Sequence, residues 1–330
     1  MSDLAYLGIV EAAALIRARK LSPVDYAKAL LARIERYDSR FNAFIRVTPD
    51  AALAAAKAAE SEIAAGRWRG PLHGVPFALK DIIDTAGVAT TGHSKILIDN
   101  VATSDAPVTA RLLAAGGVPL GKLSTHEFAI GGPSFDLPWP PARNPWNPAH
   151  FTGGSSSGSG AGLAAGFFPA ALGTDTGGSI RNPASLCGIT GMKATYGRVS
   201  RRGVAPLAFS MDHIGPMTRT VRDNALLLQI LAGHDPGDPA SADEPVPDYS
   251  ADIGRGVKGL RIGVIRHFYH GDVSADPEQI AVLEAAVKLF AELGAEIREI
   301  RLPPLQDFSA CGQIMLAAEA YAVHARWLKE

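Results

Sequence analysis

Two runs rich in glycine and serine, about two dozen positions apart, constrain this chain more than any other feature. They read GGSSSGSG over residues 153–160 and GTDTGGSIR over residues 173–181. Glycine allows positive φ and a close approach of the backbone to a ligand, and consecutive unhindered N–H groups form a concavity that binds negative charge. A serine in such a place can act as a nucleophile. We therefore expect both runs to belong to one catalytic site.

A third segment, GVPFALKD over residues 74–81, brings Lys80 out of an apolar run. Burial among its apolar neighbours would lower the pKa of the amine, and an amine that is neutral near pH 7 can accept a proton. Asp81, the next residue, opposes that shift only if its carboxylate turns toward the amine. The segment therefore predicts a general base.

The balance of charge argues against a nucleic acid or a membrane as the main partner. The 330 residues include 32 lysines and arginines against 33 aspartates and glutamates, so no excess of positive charge attracts phosphate groups. The longest apolar stretch, residues 161–172, is broken by glycine and by Pro169, and it falls short of the ~20 residues that a membrane span needs. We expect no nucleic-acid partner, no membrane contact and a small neutral substrate.

Cysteine usage and the first residues indicate the compartment. Cys187 and Cys311 are the two cysteines, too few for a disulfide framework, and neither has the spacing of a metal or redox centre. The first residues contain no basic leader. These features predict a soluble, unprocessed, cytoplasmic protein without a bound metal.

Apolar periodicity predicts an α/β fold. Residues 8–65 read as helices, with Ser22 as an N-cap and Pro23 at the first helical position. Between residues 71 and 130 short β-like runs alternate with helix-like ones, which is typical of an α/β sheet. Six prolines between residues 131 and 152 predict an extended surface loop. The later elements are predicted to be a strand over residues 260–265, a helix over 277–293 and a helix beginning near Phe308.

Three familiar signatures occur in the wrong context. Residues 116–122 are close to a phosphate-binding loop, but Leu123 stands where a Ser or Thr must hold Mg²⁺, and a helix leads in. Residues 254–259 spell a dinucleotide fingerprint but lead into a strand instead of a helix N-terminus. The triplet DTG at residues 175–177 is that of aspartic proteases, which need a second carboxylate, and the chain has no second copy. None of these predicts its usual site.

A fourth signature leaves an alternative open. Residues 154–158 fit G-x-S-x-G, the nucleophile elbow of α/β-hydrolases. That elbow follows a strand directly, whereas the lead-in here, NPAHFT over residues 147–152, does not read as a strand. A Ser-His-Asp triad would need a histidine further along the chain, and those available are His213, His234, His267, His270 and His324.

Taken together, the three segments resemble the amidase signature family, whose members hydrolyse amides through a Ser–cis-Ser–Lys triad. The resemblance is dense from residue 72 to residue 219, and it includes the run at residues 210–219. It implies one α/β domain over residues 1–330, with a central mixed, twisted β-sheet flanked by helices on both faces and a helical layer over residues 1–65. Family members usually extend beyond the position of Glu330, so a protein that ended naturally at this residue would be short for the family.

The resemblance also implies roles for individual residues. Ser179 would be the nucleophile, and Lys80 would be the base, acting through Ser155. The Gly154–Ser155 peptide bond would be cis, which places Ser155 Oγ between Lys80 Nζ and Ser179 Oγ. The oxyanion would be bound by backbone N–H groups of the nucleophile loop, those of Thr176, Gly177, Gly178 and Ser179.

Neighbouring residues are expected to support this site. Asp175 and Arg181 flank the nucleophile and would hold its loop by charge-assisted hydrogen bonds. Ser156 would form a hydrogen bond with the same loop. Gly154 would support the turn that precedes Ser155. Cys187 reads as a packed thiol.

The implied reaction is hydrolysis of an amide bond. Ser179 would take the acyl group, the leaving amine would receive a proton through Ser155 and Lys80, and water would release the acid. No cofactor is needed, and the same groups could cleave esters or carbamates. The partner would be a small-molecule amide, with residues 126–128 at the border of its pocket, and a homodimer is allowed.

Two other functions stay open. The family includes one subunit of the glutamyl-tRNA amidotransferase, which passes ammonia to a partner, and residues 195–200 resemble a segment of that subunit. The loop at residues 133–141 does not resemble its equivalent in that protein, so hydrolysis is favoured. A non-catalytic binding module is the third possibility, and labelling of one nucleophile by a fluorophosphonate would exclude it. A flexible Gly-Ser linker is disfavoured because residues of buried type follow closely, namely Ile180, Leu186 and Ile189.

Overall fold

Helices make up most of residues 8–65, as the apolar periodicity predicts, but the prediction is wrong at Phe44–Val47, which forms a strand because it pairs with the strand Val118–Leu123. In the computed structural model, which describes residues 4–329, the Ser22 side chain accepts hydrogen bonds from the N–H groups of Val24 and Asp25. Pro23 takes the first helical position, so the predicted N-cap is confirmed. The helices of this layer are α1 Ile9–Arg17, α2 Pro23–Phe41 and α3 Pro49–Ala64, after a short 3₁₀ turn at Leu4–Tyr6.

A mixed six-stranded sheet follows in space order β1-β3-β2-β4-β6-β5. Its strands are β1 Phe44–Val47, β2 Pro76–Lys80, β3 Val118–Leu123, β4 Ala170–Asp175, β5 Thr190–Gly191 and β6 His213–Thr218. Strand β2 is parallel to β3 and β4, whereas β1 with β3, β4 with β6 and β5 with β6 are antiparallel. The predicted mixed α/β sheet flanked by helices is confirmed.

The central strands β2 and β4 are apolar up to their carboxyl ends, where Lys80, Thr174 and Asp175 lie, because the sheet is buried on both faces there. Every residue of β2 and of β4 is buried. Helix α3 packs against β3. The further helices of this part of the chain are α4 Pro107–Ala114, α5 Ser157–Ala164, α6 Arg181–Cys187 and α7 Val221–Leu231, and among them α5 packs against β2 and β4 and α7 against β6.

The first glycine-serine run, residues 153–160, forms the turn before helix α5 and the first half of that helix rather than a linker. All but the last residue of the helix are buried, because it passes very close to neighbouring segments. A Cβ at Gly158 would lie 2.2 Å from the carbonyl oxygen of Ala43, and one at Gly162 would lie 2.2 Å from the ring of Phe168. Glycine is therefore required here for close packing. The linker interpretation is wrong for this run.

The proline-rich segment before α5 has no helix or strand between Ile130 and Ser156, as predicted. After residue 250 the later elements are also confirmed. Strands β7 Arg261–Val264 and β8 Glu296–Glu299 are parallel and are joined through helix α8. The helices are α8 Pro277–Glu292 and α9 Leu305–His324.

The chain divides into two compact units, Met1–Ser250 and Ala251–Glu330. The prediction of one domain over residues 1–330 stays a prediction. The expected lack of a leader concerns residues 1–3, which lie outside the described range. Between residues 4 and 329 no helix has both the length and the apolar character of a membrane span.

Candidate active site

The topology of the sheet brings the three predicted catalytic segments together. Lys80 is the last residue of β2, and Ser179 lies in the loop that follows β4. Because β2 and β4 are parallel neighbours, their carboxyl ends lie at the same edge of the sheet, where sites of α/β proteins form. Ser155 precedes helix α5, which packs against both strands.

Lys80 is fully buried and faces hydroxyl groups. Its Nζ lies 2.7 Å from Ser155 Oγ and 2.7 Å from Thr174 Oγ1. Burial lowers the pKa of Lys80 to about 7, although the carboxylates of Asp175 and Asp212 act in the opposite direction. An amine with this pKa is partly neutral near pH 7 and can therefore accept a proton.

The carboxylate of Asp81 is held by other partners. Its Oδ1 lies 3.1 Å from Lys122 Nζ, and its Oδ2 accepts hydrogen bonds from the N–H and hydroxyl groups of Thr91. Lys122 Nζ also donates to Thr90 Oγ1 at 2.8 Å. Asp81 and Lys122 are both buried. In the sequence, Lys122 was noted only as part of a chance pattern similar to a phosphate-binding loop. Its ion pair with Asp81 was therefore not predicted.

The Gly154–Ser155 peptide bond is cis, as predicted. The N–H of Gly154 donates to Asn182 Oδ1 at 3.0 Å, and the carbonyl of Ser155 accepts from the N–H groups of His126 and Ser157 at 3.1 and 2.8 Å. A Cβ at Gly154 would lie 2.2 Å from His126 Nε2, so only glycine fits beside this ring. Both sides of the bond are thus fixed by neighbouring segments.

Asp175 organises the loop that carries Ser179. Its carboxylate accepts from the N–H groups of Gly178, Ile180 and Arg181 at 2.8, 3.1 and 3.3 Å. It also accepts from Nε and Nη2 of Arg181 at 3.0 and 2.9 Å. Burial alone would raise the pKa of Asp175, but these Arg181 contacts outweigh it and lower the pKa. The predicted charge-assisted pair is present.

The contacts of Asp175 reduce the number of N–H donors in the predicted oxyanion hole. The N–H of Gly178 is already bonded to Asp175. Among the described residues, the N–H groups of Gly177 and Ser179 donate to no protein acceptor. The set that the sequence predicts therefore reduces to Thr176, Gly177 and Ser179.

Ser156 joins the two glycine-serine runs. Its Oγ donates to the carbonyl of Thr174 and accepts from the N–H of Thr174, both at 3.2 Å. Its N–H donates to the carbonyl of Ser179 at 3.2 Å. Ser156 therefore bonds the nucleophile segment, as predicted. Thr174 was not predicted as a contact of Lys80. Its hydroxyl near the end of β4, the strand beside that of Lys80, could have indicated this role.

His213 and His126 do not take the place of the lysine in this arrangement. His213 has Nδ1 at 2.6 Å from the carbonyl of Met211 and Nε2 at 3.2 Å from Lys193 Nζ. His126 has Nδ1 at 3.1 Å from the carbonyl of Gly131, and burial lowers its pKa to about 4. These contacts give no support to a Ser-His-Asp triad at either histidine.

The remaining nucleophile and metal candidates are also accounted for. Cys187 is buried, its Sγ donates to the carbonyl of Thr152 at 3.3 Å, and burial raises its pKa to about 12, so it is the packed thiol that the sequence predicts. Within residues 4–329 no group of histidine, cysteine, aspartate and glutamate side chains could hold a metal ion.

Comparisons with known proteins agree with this geometry. The amidase family model matches residues 25–330. One subunit of the glutamyl-tRNA(Gln) amidotransferase of Geobacter sulfurreducens is 50% identical over 94% of this chain and 63% of its own length. The chain therefore spans less than two thirds of the length of that relative.

Two solved structures have the same fold over 98% of this chain. One, described with a vestigial protein complex that reveals the evolutionary origins of an s-triazine catabolic enzyme, has a TM-score of 0.91, 38% identity and 70% of its own chain covered. The other, a bacterial aryl acylamidase of the amidase signature enzymes, has a TM-score of 0.88, 30% identity and 67% of its own chain covered. With the family model and these relatives in agreement, this chain belongs to the amidase signature family.

Proposed function

We propose that this protein cleaves the C–N bond of an amide through an acyl-enzyme on Ser179, with Ser155 and Lys80 as the proton relay. The observation that carries the proposal is the 2.7 Å contact of the buried Lys80 amine with Ser155 Oγ, beside the cis Gly154–Ser155 bond. A lysine whose pKa is about 7 can act as a base at neutral pH.

In the acylation step Ser179 Oγ attacks the carbonyl carbon. Its proton passes to Ser155 Oγ while the Ser155 proton passes to Lys80 Nζ. The N–H groups of Gly177 and Ser179 stabilise the oxyanion, and one such donor typically contributes about 3 kcal/mol.

Collapse of the tetrahedral intermediate returns the proton through Ser155 to the leaving nitrogen, and the C–N bond breaks. Water then attacks the acyl-enzyme while its proton passes through Ser155 to Lys80, and that proton returns through Ser155 to Ser179 Oγ as the bond to the acyl group breaks and the carboxylic acid is released. Every group in this cycle ends as it began, so no cofactor is consumed.

The fate of the released nitrogen distinguishes two candidate functions. As an amidase, the protein releases the amine or ammonia to the solvent. As a component of a tRNA-dependent amidotransferase, it hydrolyses an amide donor and passes ammonia to a partner that holds the aminoacyl-tRNA. The 50% identity to the Geobacter sulfurreducens protein supports the amidotransferase candidate, and this support is stronger than that from the sequence patterns. The aryl acylamidase neighbour supports the amidase candidate.

A labelling experiment tests the common core of both candidates. A fluorophosphonate probe should form one adduct on Ser179, located by mass spectrometry, and Ser179→Ala should abolish the adduct and lower kcat by at least about 10³-fold. Ser179→Ala should unfold like the wild type. An adduct on Ser156 or Cys187 would contradict the proposal. Copurification of a large partner protein together with glutamine-dependent amide transfer would then select the amidotransferase candidate.

A further inference from the structure

A cavity of about 290 Å³ lies next to residues that contact or adjoin the proposed catalytic residues, although Lys80, Ser155 and Ser179 do not themselves line it. Thr174 and Thr176 form part of its wall. Thr174 contacts the Lys80 amine, and Thr176 begins the loop of Ser179. A substrate group bound in this cavity would therefore lie next to the bond that the triad cleaves.

The rest of the wall is mainly apolar. It includes the side chains of Ile82, Val204, Leu207, Phe209 and Ile214. Apolar surfaces bind apolar groups favourably, because such groups are stabilised when they leave water. They do not compensate a polar or charged group for the loss of its hydration.

The arginines at this cavity are already paired. Arg201 contacts Asp238 through Nη2 at 3.2 Å, and its backbone N–H donates to the same carboxylate at 2.8 Å. Arg202 contacts Asp235 through Nε and Nη2 at 3.0 and 3.1 Å. A carboxylate entering the cavity would have to break one of these ion pairs.

The carboxylate of the cavity wall that acts on Lys80, that of Asp212, is also occupied. Asp212 accepts from the hydroxyl of Thr176 at 2.5 Å and from the N–H groups of Leu207 and Ala208 at 2.8 and 3.0 Å. It therefore fixes the turn that forms one side of the cavity. An ammonium group would compete with these three donors for the same carboxylate.

We propose that this cavity binds a neutral, apolar group of the amide substrate, so that an aryl or arylalkyl amide is preferred over glutamine. The inference rests on the proposed function of Ser179. Since a cavity of about 150 Å³ accepts benzene, a cavity of about 290 Å³ accepts a bicyclic aromatic ring. Glutamine carries an ammonium and a carboxylate group, and among residues 4–329 the arginine and aspartate side chains that line the cavity are already engaged in other contacts.

A substrate series tests the preference directly. With the purified protein, kcat/KM should be roughly 100-fold higher for 2-naphthylacetamide than for acetamide, because the ring is buried, and higher still relative to glutamine. Equal or higher kcat/KM for glutamine would overturn the inference. Failure to hydrolyse 2-naphthylacetamide while Ser179 is labelled would also overturn it, whereas the absence of labelling and of all turnover would overturn the proposed function.

Two variants locate the preference in the cavity. Phe209→Ala removes an exposed aromatic wall, whose backbone carbonyl keeps its contacts with Tyr196 and Arg201. It should lower the ratio of kcat/KM for 2-naphthylacetamide over acetamide roughly tenfold. Ala205→Phe, which fills the cavity, should lower the ratio further.

Phe135→Ala is the matched control. Phe135 is more exposed than Phe209, 83% against 58%, and it does not line the cavity. The ratio should be unchanged in this variant. If Phe135→Ala and Phe209→Ala lower the ratio equally, or if neither Phe209→Ala nor Ala205→Phe lowers it, the apolar group binds elsewhere and the inference is wrong.

Discussion

Two fully buried lysines on neighbouring strands, Lys80 of β2 and Lys122 of β3, have different partners. Lys80 contacts the hydroxyls of Ser155 and Thr174, whereas Lys122 forms an ion pair with the carboxylate of Asp81 at 3.1 Å. The two amines share burial and residue type. Their chemistry is therefore set by the groups that face them.

Around Lys80 the carboxylates are engaged elsewhere. Asp175 is bonded to Arg181, and Asp212 is bonded to Thr176. Burial consequently dominates and lowers the pKa of Lys80 to about 7. This amine can gain and lose a proton within the physiological range.

Around Lys122 burial also lowers the pKa of the amine, but the contact with Asp81 opposes it. The pair neutralises the carboxylate that directly follows Lys80 in the chain. We infer that Lys80 transfers protons, whereas Lys122 compensates the negative charge of the buried Asp81 carboxylate.

The largest effect is expected at Lys80. Lys80→Met removes the base but keeps an apolar side chain of similar length, so kcat should fall by at least about 10³-fold while the protein stays folded. Steady-state kinetics and a thermal unfolding curve measure the two quantities. The double variant with Ser179→Ala should be hardly worse than either single variant, because the residues act as one unit.

A small effect of Lys80→Met on kcat would contradict the proton relay. Fully additive losses in the double variant would do the same, since they would place the two residues in separate steps.

Lys122→Met should mainly lower stability. It leaves the buried Asp81 carboxylate without its cation, and breaking a buried pair typically costs about 3–5 kcal/mol. Denaturant titration should show this loss in the free energy of unfolding. The variant that also carries Asp81→Asn should recover most of it, because no unpaired charge is then buried.

If Lys122→Met unfolds like the wild type, the ion pair does not stabilise the fold. If the double variant is no more stable than Lys122→Met, the loss comes from packing rather than from the unpaired carboxylate.

The difference between the two lysines also shows what the sequence can predict. Lys80, Ser155 and the contact of Asp175 with Arg181 lie within short segments whose local order already indicates chemistry. Most of the order of helices and strands follows from such local patterns as well, whereas the cis bond at Gly154 was expected from the resemblance to the amidase signature family.

The features that the sequence did not predict depend on the pairing of distant strands. Asp81 meets Lys122 only because β2 lies beside β3, and Thr174 meets Lys80 only because β4 lies on the other side. The engagement of the Gly178 N–H by Asp175 depends on the exact path of one loop. Composition and spacing do not encode these contacts, because they are decided by tertiary packing.

The pH profile gives the smallest effect and the finest comparison. Lys80 must be neutral to accept a proton, so kcat/KM should fall about tenfold per pH unit below an apparent pKa of about 7 and level off above it. Burial lowers the pKa of His126 to about 4, so this residue cannot produce that limb. The Asp81→Asn and Lys122→Met double variant should keep the same midpoint, measured with an uncharged amide, because it removes a neutral pair.

A limb that disappears in His213→Ala but persists in Lys80→Met would assign the base to a histidine. A limb that vanishes in the double variant would show that the two lysines are not independent.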